Sequence, residues 1–238
     1  MAAAHNSSSR HVSFITRFSI LAEPGTQGWH MTRTITDMEQ YRAALFSPAR
    51  LNAKFQMFEK VTLPSVMAQT SRAFDWHIFT AEALPAPFLA RLRTVTAPYA
   101  THITIHTVDG MKSFRSGVNE ICEGLKARFG ENGFATSRLD DDDGVGPRLV
   151  ERLSDPKYKP GTVVLFAKGK RFIMENGLPK DGRQEDRPPA STSSIIGGNI
   201  YACGNHKTLH ERFPTEIDHT PDMFMLGCGD VCDTHRRA

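Results

Sequence analysis

Four consecutive carboxylates, Asp140, Asp141, Asp142 and Asp143, stand between the apolar run Phe134–Leu139 and the segment Gly144, Val145, Gly146, Pro147. Side by side they repel one another, and a hard cation with oxygen ligands, Mg²⁺ or Mn²⁺, relieves that repulsion while keeping positions open for phosphates. The alternative is a solvated acidic turn that caps the next helix, because Asp is favoured at N-caps for local reasons. Two other constellations have weaker spacing. His102 and His106 share one face of an alternating segment, where they read as metal ligands or as surface positions. Cys122, Cys203, Cys228 and Cys232 lack the paired spacing of a zinc site, and with no secretion signal they read as reduced thiols.

The elements around the carboxylates place them at a sheet edge. His11–Ile20 alternates apolar and polar residues and reads as a first strand, with Arg17 near its carboxyl end. Residues 21–47 read as a long loop in which Trp29 and Arg33 either contact substrate or cover the surface. Ser47 and Pro48 open a helix whose apolar face is Leu51, Phe55, Phe58 and Thr62, and Pro64 interrupts and restarts it. Phe74–Thr80, then a short helix with Phe88, Leu92 and Val95, then Thr101–Val108 continue the alternation. Phe114–Phe129 is helical and ends at Gly130, and Phe134–Leu139 is the fourth strand. Strand and helix alternating in this way predict an α/β fold, a mostly parallel sheet with helices on both faces. The acidic run then lies at the carboxyl edge, where open α/β sheets bind ligands.

Beyond it, Pro147 is expected in the first turn of a helix, and Thr162–Ala167 and Arg171–Met174 as a hairpin about Lys168, Gly169 and Lys170. Residues 176–192 read as a second long loop, and Ser194–Ala202 as a strand whose paired glycines mark a bend or close approach. His206–Phe213 reads as a short helix, and residues 214–238 as irregular, closing over a site or trailing as a tail.

Length and composition narrow the classes. At 238 residues, 39% hydrophobic and 23% charged, the chain fits one globular domain over 11–238 behind a disordered tail, 1–10. A net charge of +3 with dispersed Lys and Arg gives no basic patch, so nucleic acid is not expected as a partner. No apolar run nears the ~20 residues of a membrane span, so a cytoplasmic protein is expected, with peripheral association at the inner membrane face as an open alternative. Neither GxGxxG nor GxxxxGK[ST] is present.

Several segments, in order, resemble the nucleotide-sugar-binding domain of GT-A glycosyltransferases, and more closely the family of putative rhamnosyltransferases. They are Ile15–Ser19, Arg50–Glu59 leading to Leu63–Gln69, Phe74–Phe79 ending near Leu84 and Pro85, and Thr136–Asp143. The resemblance spans residues 11–202. It implies a GT-A-like fold and transfer of a sugar, rhamnose among the candidates, from a nucleoside-diphosphate-sugar donor to a hydroxyl acceptor on a glycan or lipid carrier. It implies a DxD role for the acidic run, read as 140/142 or 141/143, with a divalent metal bridging the donor diphosphate. On that reading Asp142 and Asp143, with His219, hold the metal. Asp140 and Asp141 join Arg17 and Arg138 at the donor, and Glu82 stands where many such domains place an Asp. The carboxyl-terminal region, which usually supplies a base, offers Asp222 and Asp218, with Asp230 as a further candidate. Two other classes remain in view: a GT-A domain that binds nucleotide or glycan without transfer, and a metal-dependent phosphohydrolase. The second ranks lower because Thr16, Arg17 and Phe18 occupy the place of a nucleophilic Asp after the first strand.

Overall fold

The computed structural model describes residues 10–23, 35–175, 178–186, 193–202 and 212–228. Trp29, Arg33, Cys203, Cys232, Asp230 and His235, residues 1–9 of the expected tail 1–10 and most of the expected helix 206–213 lie outside them, while Arg10 is buried and donates to the Tyr158 carbonyl at 3.1 Å.

A seven-stranded sheet carries the chain. Its parallel half is β1 (His11–Phe18), β2 (Phe74–Ala81), β3 (Ile103–Val108) and β4 (Phe134–Arg138). Beyond them lie β6 (Val163–Phe166), β9 (Ser193–Ile196) and β10 (Thr215–Asp218), in the spatial order β10-β6-β9-β4-β1-β2-β3. Among these seven, β9 alone runs against its neighbours β4 and β6. The α/β class, with a mostly parallel sheet covered by helices on both faces, is the one the alternation of elements predicts.

The two faces follow from the period-two alternation of β1. Val12, Phe14 and Phe18 point into the larger core with Trp76 and Ile78. That side is covered by α2 (Pro48–Met57), α3 (Leu63–Met67), α4 (Ala86–Thr96) and α6 (Leu149–Leu153). Ahead of them α1 (Met38–Leu45) packs Tyr41 and Leu45 against Leu51 and Ala81. Ile15 points to the opposite face, where α5 (Met111–Phe129) lays Phe114, Val118 and Cys122 over it and Phe79.

The helix opened by Pro48 does not break at Pro64. A π-turn over Phe58–Thr62, in which the Leu63 N–H reaches the Phe58 carbonyl, joins α2 to α3. This wider turn accommodates the ring and missing N–H of Pro64, which would obstruct an α-turn. Leu51, Phe55, Phe58 and Thr62 are all fully buried, as their spacing predicts.

The expected hairpin about Lys168–Lys170 does not form. β6 stays in the main sheet, while β7 (Lys168–Glu175) begins a second sheet in the order β5-β11-β7-β8. Here β5 is Gly144–Val145, β8 is Leu178–Asp186 and β11 is Phe224–Cys228. Gly169 serves close packing rather than a turn, since a Cβ there would sit 2.4 Å from the Phe224 carbonyl oxygen. β8 occupies most of the stretch expected as a loop, and its polar sequence lacks a strand pattern. Pairing with β7, through an irregularity at Lys170/Phe172, makes it a strand. Two strands, β10 and β11, also fall in the stretch expected to be irregular. At Gly197 the chain turns with φ +65°, and a Cβ would meet the Glu131 carbonyl at 2.3 Å, the bend and close approach that the paired glycines predict.

His102 and His106 are tied into the sheet. His102 stacks on Phe74 with Nδ1 3.0 Å from its carbonyl, and His106 Nε2 lies 2.9 Å from His77 Nδ1. His77 in turn faces Asp75, which His11 approaches to 3.1 Å from the other side.

Candidate active site

Successive strands from β1 to β3 add to one side of β1, and β4 returns to the other side. The carboxyl ends of β1 and β4 therefore flank the point where the strand order reverses, the crevice in which open α/β sheets bind ligands. Arg17 is the last residue but one of β1 there, Arg138 ends β4, and the four aspartates follow after Leu139.

The turn divides its carboxylates between the two faces of the sheet. In the register Ile15 is opposite Arg138, so Arg138 and Arg17 share the α5 face. Arg138 donates to Asp140 through Nε at 3.1 Å and Nη2 at 2.9 Å, and Arg17 Nη2 stands 3.7 Å away. Burial by itself would raise the pKa of Asp140, but Arg138 and then Arg17 outweigh it and hold it below the usual carboxylate range. Tyr201 completes this side. Its ring lies 5.4 Å from the Arg17 guanidinium and 5.9 Å from that of Arg138, and its hydroxyl donates to the Ile15 carbonyl at 3.2 Å.

On the other face α2 presents Arg50 and Lys54, one turn apart and so on one side of the helix. Lys54 Nζ pairs with both oxygens of Asp141, which is only 4% exposed. Thr62 donates to the Asp141 carbonyl at 3.2 Å. Arg50 Nη1 donates to the Leu45 carbonyl and, at 3.2 Å, to Ser19 Oγ. Ser19, just past β1, has a φ of 54°, a left-handed conformation that costs a non-glycine residue on the order of 1 kcal/mol. Arg50 thus holds a strained strand exit at the rim of the crevice.

Asp142 stands between these pairs. Burial first, then the neighbouring charges of Asp141 and Asp140, push its pKa up to about 6 against the opposing pull of Lys54. This carboxylate bears the crowding of the run, and a cation would relieve it. Asp143 is buried, and its N–H closes the turn on the Asp140 carbonyl at 3.2 Å. Among the described residues no three His, Cys, Asp or Glu side chains form a ready-made metal cage. Magnesium-type sites commonly use one or two carboxylates and complete the shell with water and substrate phosphates, and Asp142 with Asp143 fits that pattern.

The turn is pinned where it leaves. β5 pairs antiparallel with β11, Gly144 opposite Met225 and Val145 opposite Phe224. Ser65 Oγ accepts the Val145 N–H at 3.1 Å. Gln69 donates to the Gly146 carbonyl at 2.7 Å and accepts the Val150 N–H at 3.0 Å. Pro147 is not in the helix: α6 starts at Leu149, and its N-cap, Arg148, makes no side-chain cap. Gln69, just past the end of α3, caps it instead.

The carboxyl-terminal candidates sit elsewhere. Asp218 ends β10, three strand spacings or ~14 Å across the sheet from β4. It is 3% exposed and accepts from Arg152 at 2.7 Å, from the Thr220 N–H at 2.7 Å, and from Tyr158. His219 follows it and is exposed. Asp222 occupies a left-handed turn, φ 56°, with Lys170 3.7 Å away, and its backbone lies against Gly146, at the far end of β5 from Asp142. Glu82 is exposed at the carboxyl end of β2, on the edge shared by β1 and β4. The structure therefore brings Arg17, Arg138 and the four aspartates together, places Asp218 and His219 three strands away, and puts Asp222 at the Gly146 end of β5. Sequence reasoning missed Arg50, Lys54, Ser65, Gln69 and Tyr201. The i, i+4 spacing of Arg50 and Lys54 was visible, but nothing in the sequence says which turn that face meets.

A mannosyltransferase from Pyrobaculum calidifontis, in complex with GDP-Man and Mn²⁺, is similar at TM-score 0.48 and 10% identity, over 93% of this chain and 58% of that one. GalNAc-T7 with UDP, GalNAc and Mn²⁺ is similar at TM-score 0.43 and 10% identity, over 92% and 43%. Mouse xyloside xylosyltransferase 1 is similar at 0.37 and 10%, over 84% and 71%. The chain spans about half the length of the first two, and at these TM-scores the likeness carries no argument about the site. No curated protein matches the sequence. A family model does, over residues 11–177, the stretch that holds β1 to β4, the acidic turn and the helices that pin it. The chain belongs to the glycosyltransferase family described as "Putative rhamnosyl transferase".

Proposed function

We propose that this chain transfers a sugar, rhamnose by its family, from a nucleoside-diphosphate donor to a hydroxyl acceptor, with a divalent metal at Asp142 and Asp143. The observation that carries this reading is the acidic turn at the strand-order reversal, flanked by cations on both faces of the sheet. Arg17, Arg50, Lys54 and Arg138 balance the four aspartates in formal charge. A bound Mg²⁺ or Mn²⁺ would leave the crevice with about two positive charges, the complement of a diphosphate, and would stabilise the charge that develops as the diphosphate departs. The chain's own residues do the rest. Arg17 and Arg138 offer guanidinium donors suited to phosphate oxygens, and Asp140 fixes their planes. Tyr201 backs both guanidinium groups, and Ser65 and Gln69 hold the turn's exit so that Asp142 and Asp143 keep their place.

The experiment is calorimetric titration of UDP, GDP and dTDP, with and without Mn²⁺, on the natural protein and on Asp142→Ala. Metal-dependent binding of one nucleotide, lost in the variant, supports the reading. Absence of binding to all three refutes it. A second reading, a domain that binds donor without turnover, draws on the saturation of Asp218 and the position of Asp222 at Gly146. Donor hydrolysis or transfer, measured on the nucleotide that binds, separates the two.

A further inference from the structure

The four aspartates are not equivalent, and the difference originates outside the turn. Asp140 is engaged by Arg138 and Arg17 from the α5 side. Asp141 is engaged by Lys54 from α2, through both of its oxygens and with almost no solvent access. The Lys54 ammonium also lies 5.8 Å from the centroid of the buried Phe18 ring. Arg50, one turn earlier, is fixed by Leu45 and Ser19 and keeps that face of α2 against the strand exit. A lysine pinned in this way competes with a metal ion for the same carboxylate.

From this we infer that Lys54 is a specificity-determining positioning residue: by occupying Asp141 it withholds that carboxylate from the divalent metal. The inference rests on the donor-site reading above and deepens it. A site with two protein carboxylates holds its metal loosely and relies on the donor's phosphates to complete the shell, so metal and donor bind together. With Asp141 released, a third carboxylate would enter, and the protein would take up the ion without nucleotide.

The test is Mn²⁺ binding, read from the loss of the free-ion electron paramagnetic resonance signal, without nucleotide and with UDP, GDP or dTDP. The proteins compared are the natural one, Lys54→Met, Lys54→Arg, Asp141→Asn, Asp142→Asn and the double variant Lys54→Met/Asp141→Asn. Lys54→Met is expected to tighten Mn²⁺ without nucleotide by about tenfold or more, because a buried carboxylate is freed. Asp141→Asn in the natural background should change Mn²⁺ affinity by less than about threefold, and in the Lys54→Met background it should cancel the gain. Lys54→Arg should match the natural protein, and Asp142→Asn should lose the ion. If Asp141→Asn loses Mn²⁺ as Asp142→Asn does, Asp141 is a ligand and the inference fails. It fails also if the Lys54→Met gain survives in the double variant, which would make it a field effect alone. Should Lys54→Met not fold, by circular dichroism, the Asp141→Asn result decides. Natural protein that takes up no Mn²⁺ with any nucleotide overturns the metal reading itself, an outcome distinct from the variant patterns.

Discussion

Replacing Gln69 by Leu tests how the acidic turn is held. The Gln69 side chain is 3% exposed, and its amide orientation is set by its neighbours: Nε2 faces the Gly146 and Ser65 carbonyls, and Oε1 faces the Val150 N–H. Leucine keeps the volume and removes the polar atoms. The Val150 N–H, in the first turn of α6, would then be buried without its acceptor, at about 1–3 kcal/mol. The Gly146 carbonyl keeps the Leu149 N–H at 3.1 Å, so its loss is that of one hydrogen bond, about 0.5–1.5 kcal/mol. Together these give about 2–4 kcal/mol of destabilisation, or roughly 4–15 °C in melting temperature for a chain of this size. Thermal unfolding and urea titration of the two proteins measure it, and nucleotide titration on the folded variant reports whether Asp142 and Asp143 have lost their place. A loss below ~1 kcal/mol would refute the clamp, because it would mean that Val150 finds another acceptor and that the turn needs no support from Gln69.

Other outcomes follow from the same contacts. Asp218→Asn, which breaks a buried carboxylate's pairing with Arg152 and Tyr158, should cost about 3 kcal/mol by urea denaturation. Burial would raise the Asp218 pKa, but hydrogen bonds from Thr220, Tyr158 and Arg152 hold it well below 3.8. Its stabilisation is therefore complete above pH ~4 and falls away below it, an acid slope that Asp218→Asn should lack. His106 is pushed down to about 4 by burial and then by His77. Because the folded value lies below the unfolded one near 6.5, its stabilisation is full above about pH 6.5 and declines toward pH 4. Titration of the imidazole by nuclear magnetic resonance should show a midpoint near 4, and a midpoint above 6 would sink the burial argument. Two glycines should respond oppositely to alanine. In Gly146→Ala the new Cβ would sit 2.0 Å from the Asp222 carbonyl oxygen, so the β5–β11 pairing must shift at a cost of about 1–3 kcal/mol. In Gly124→Ala the Cβ on α5 meets nothing within 4 Å, and stability should rise by about 0.4–1 kcal/mol. Melting temperatures check both.

How far the fold could be read differs along the chain. From β1 to β4 the alternation of His11–Phe18, the four-three-four spacing of Leu51, Phe55, Phe58 and Thr62, and the closing Gly130 each name their element, because a local period and a local cap suffice. After the acidic turn this stops working. Lys168, Gly169 and Lys170 look like a turn, yet they are strand because Phe224, far away in sequence, packs on Gly169. Leu178–Asp186 has no strand period and is strand because β7 pairs with it.

The site divides along the same line. Sequence alone determined that four carboxylates follow an apolar strand, that Arg17 lies near the end of the first strand and Arg138 near the end of the fourth, and that glycines and a proline release the chain afterwards. These are properties of contiguous residues. Which carboxylate meets which cation was decided only by the tertiary structure: Lys54 reaches Asp141 across 87 residues and Gln69 reaches Gly146 across 77. Electrostatic pairing depends on distance in space, and α2 and α3 approach the turn because their apolar faces are buried against β1 and β2.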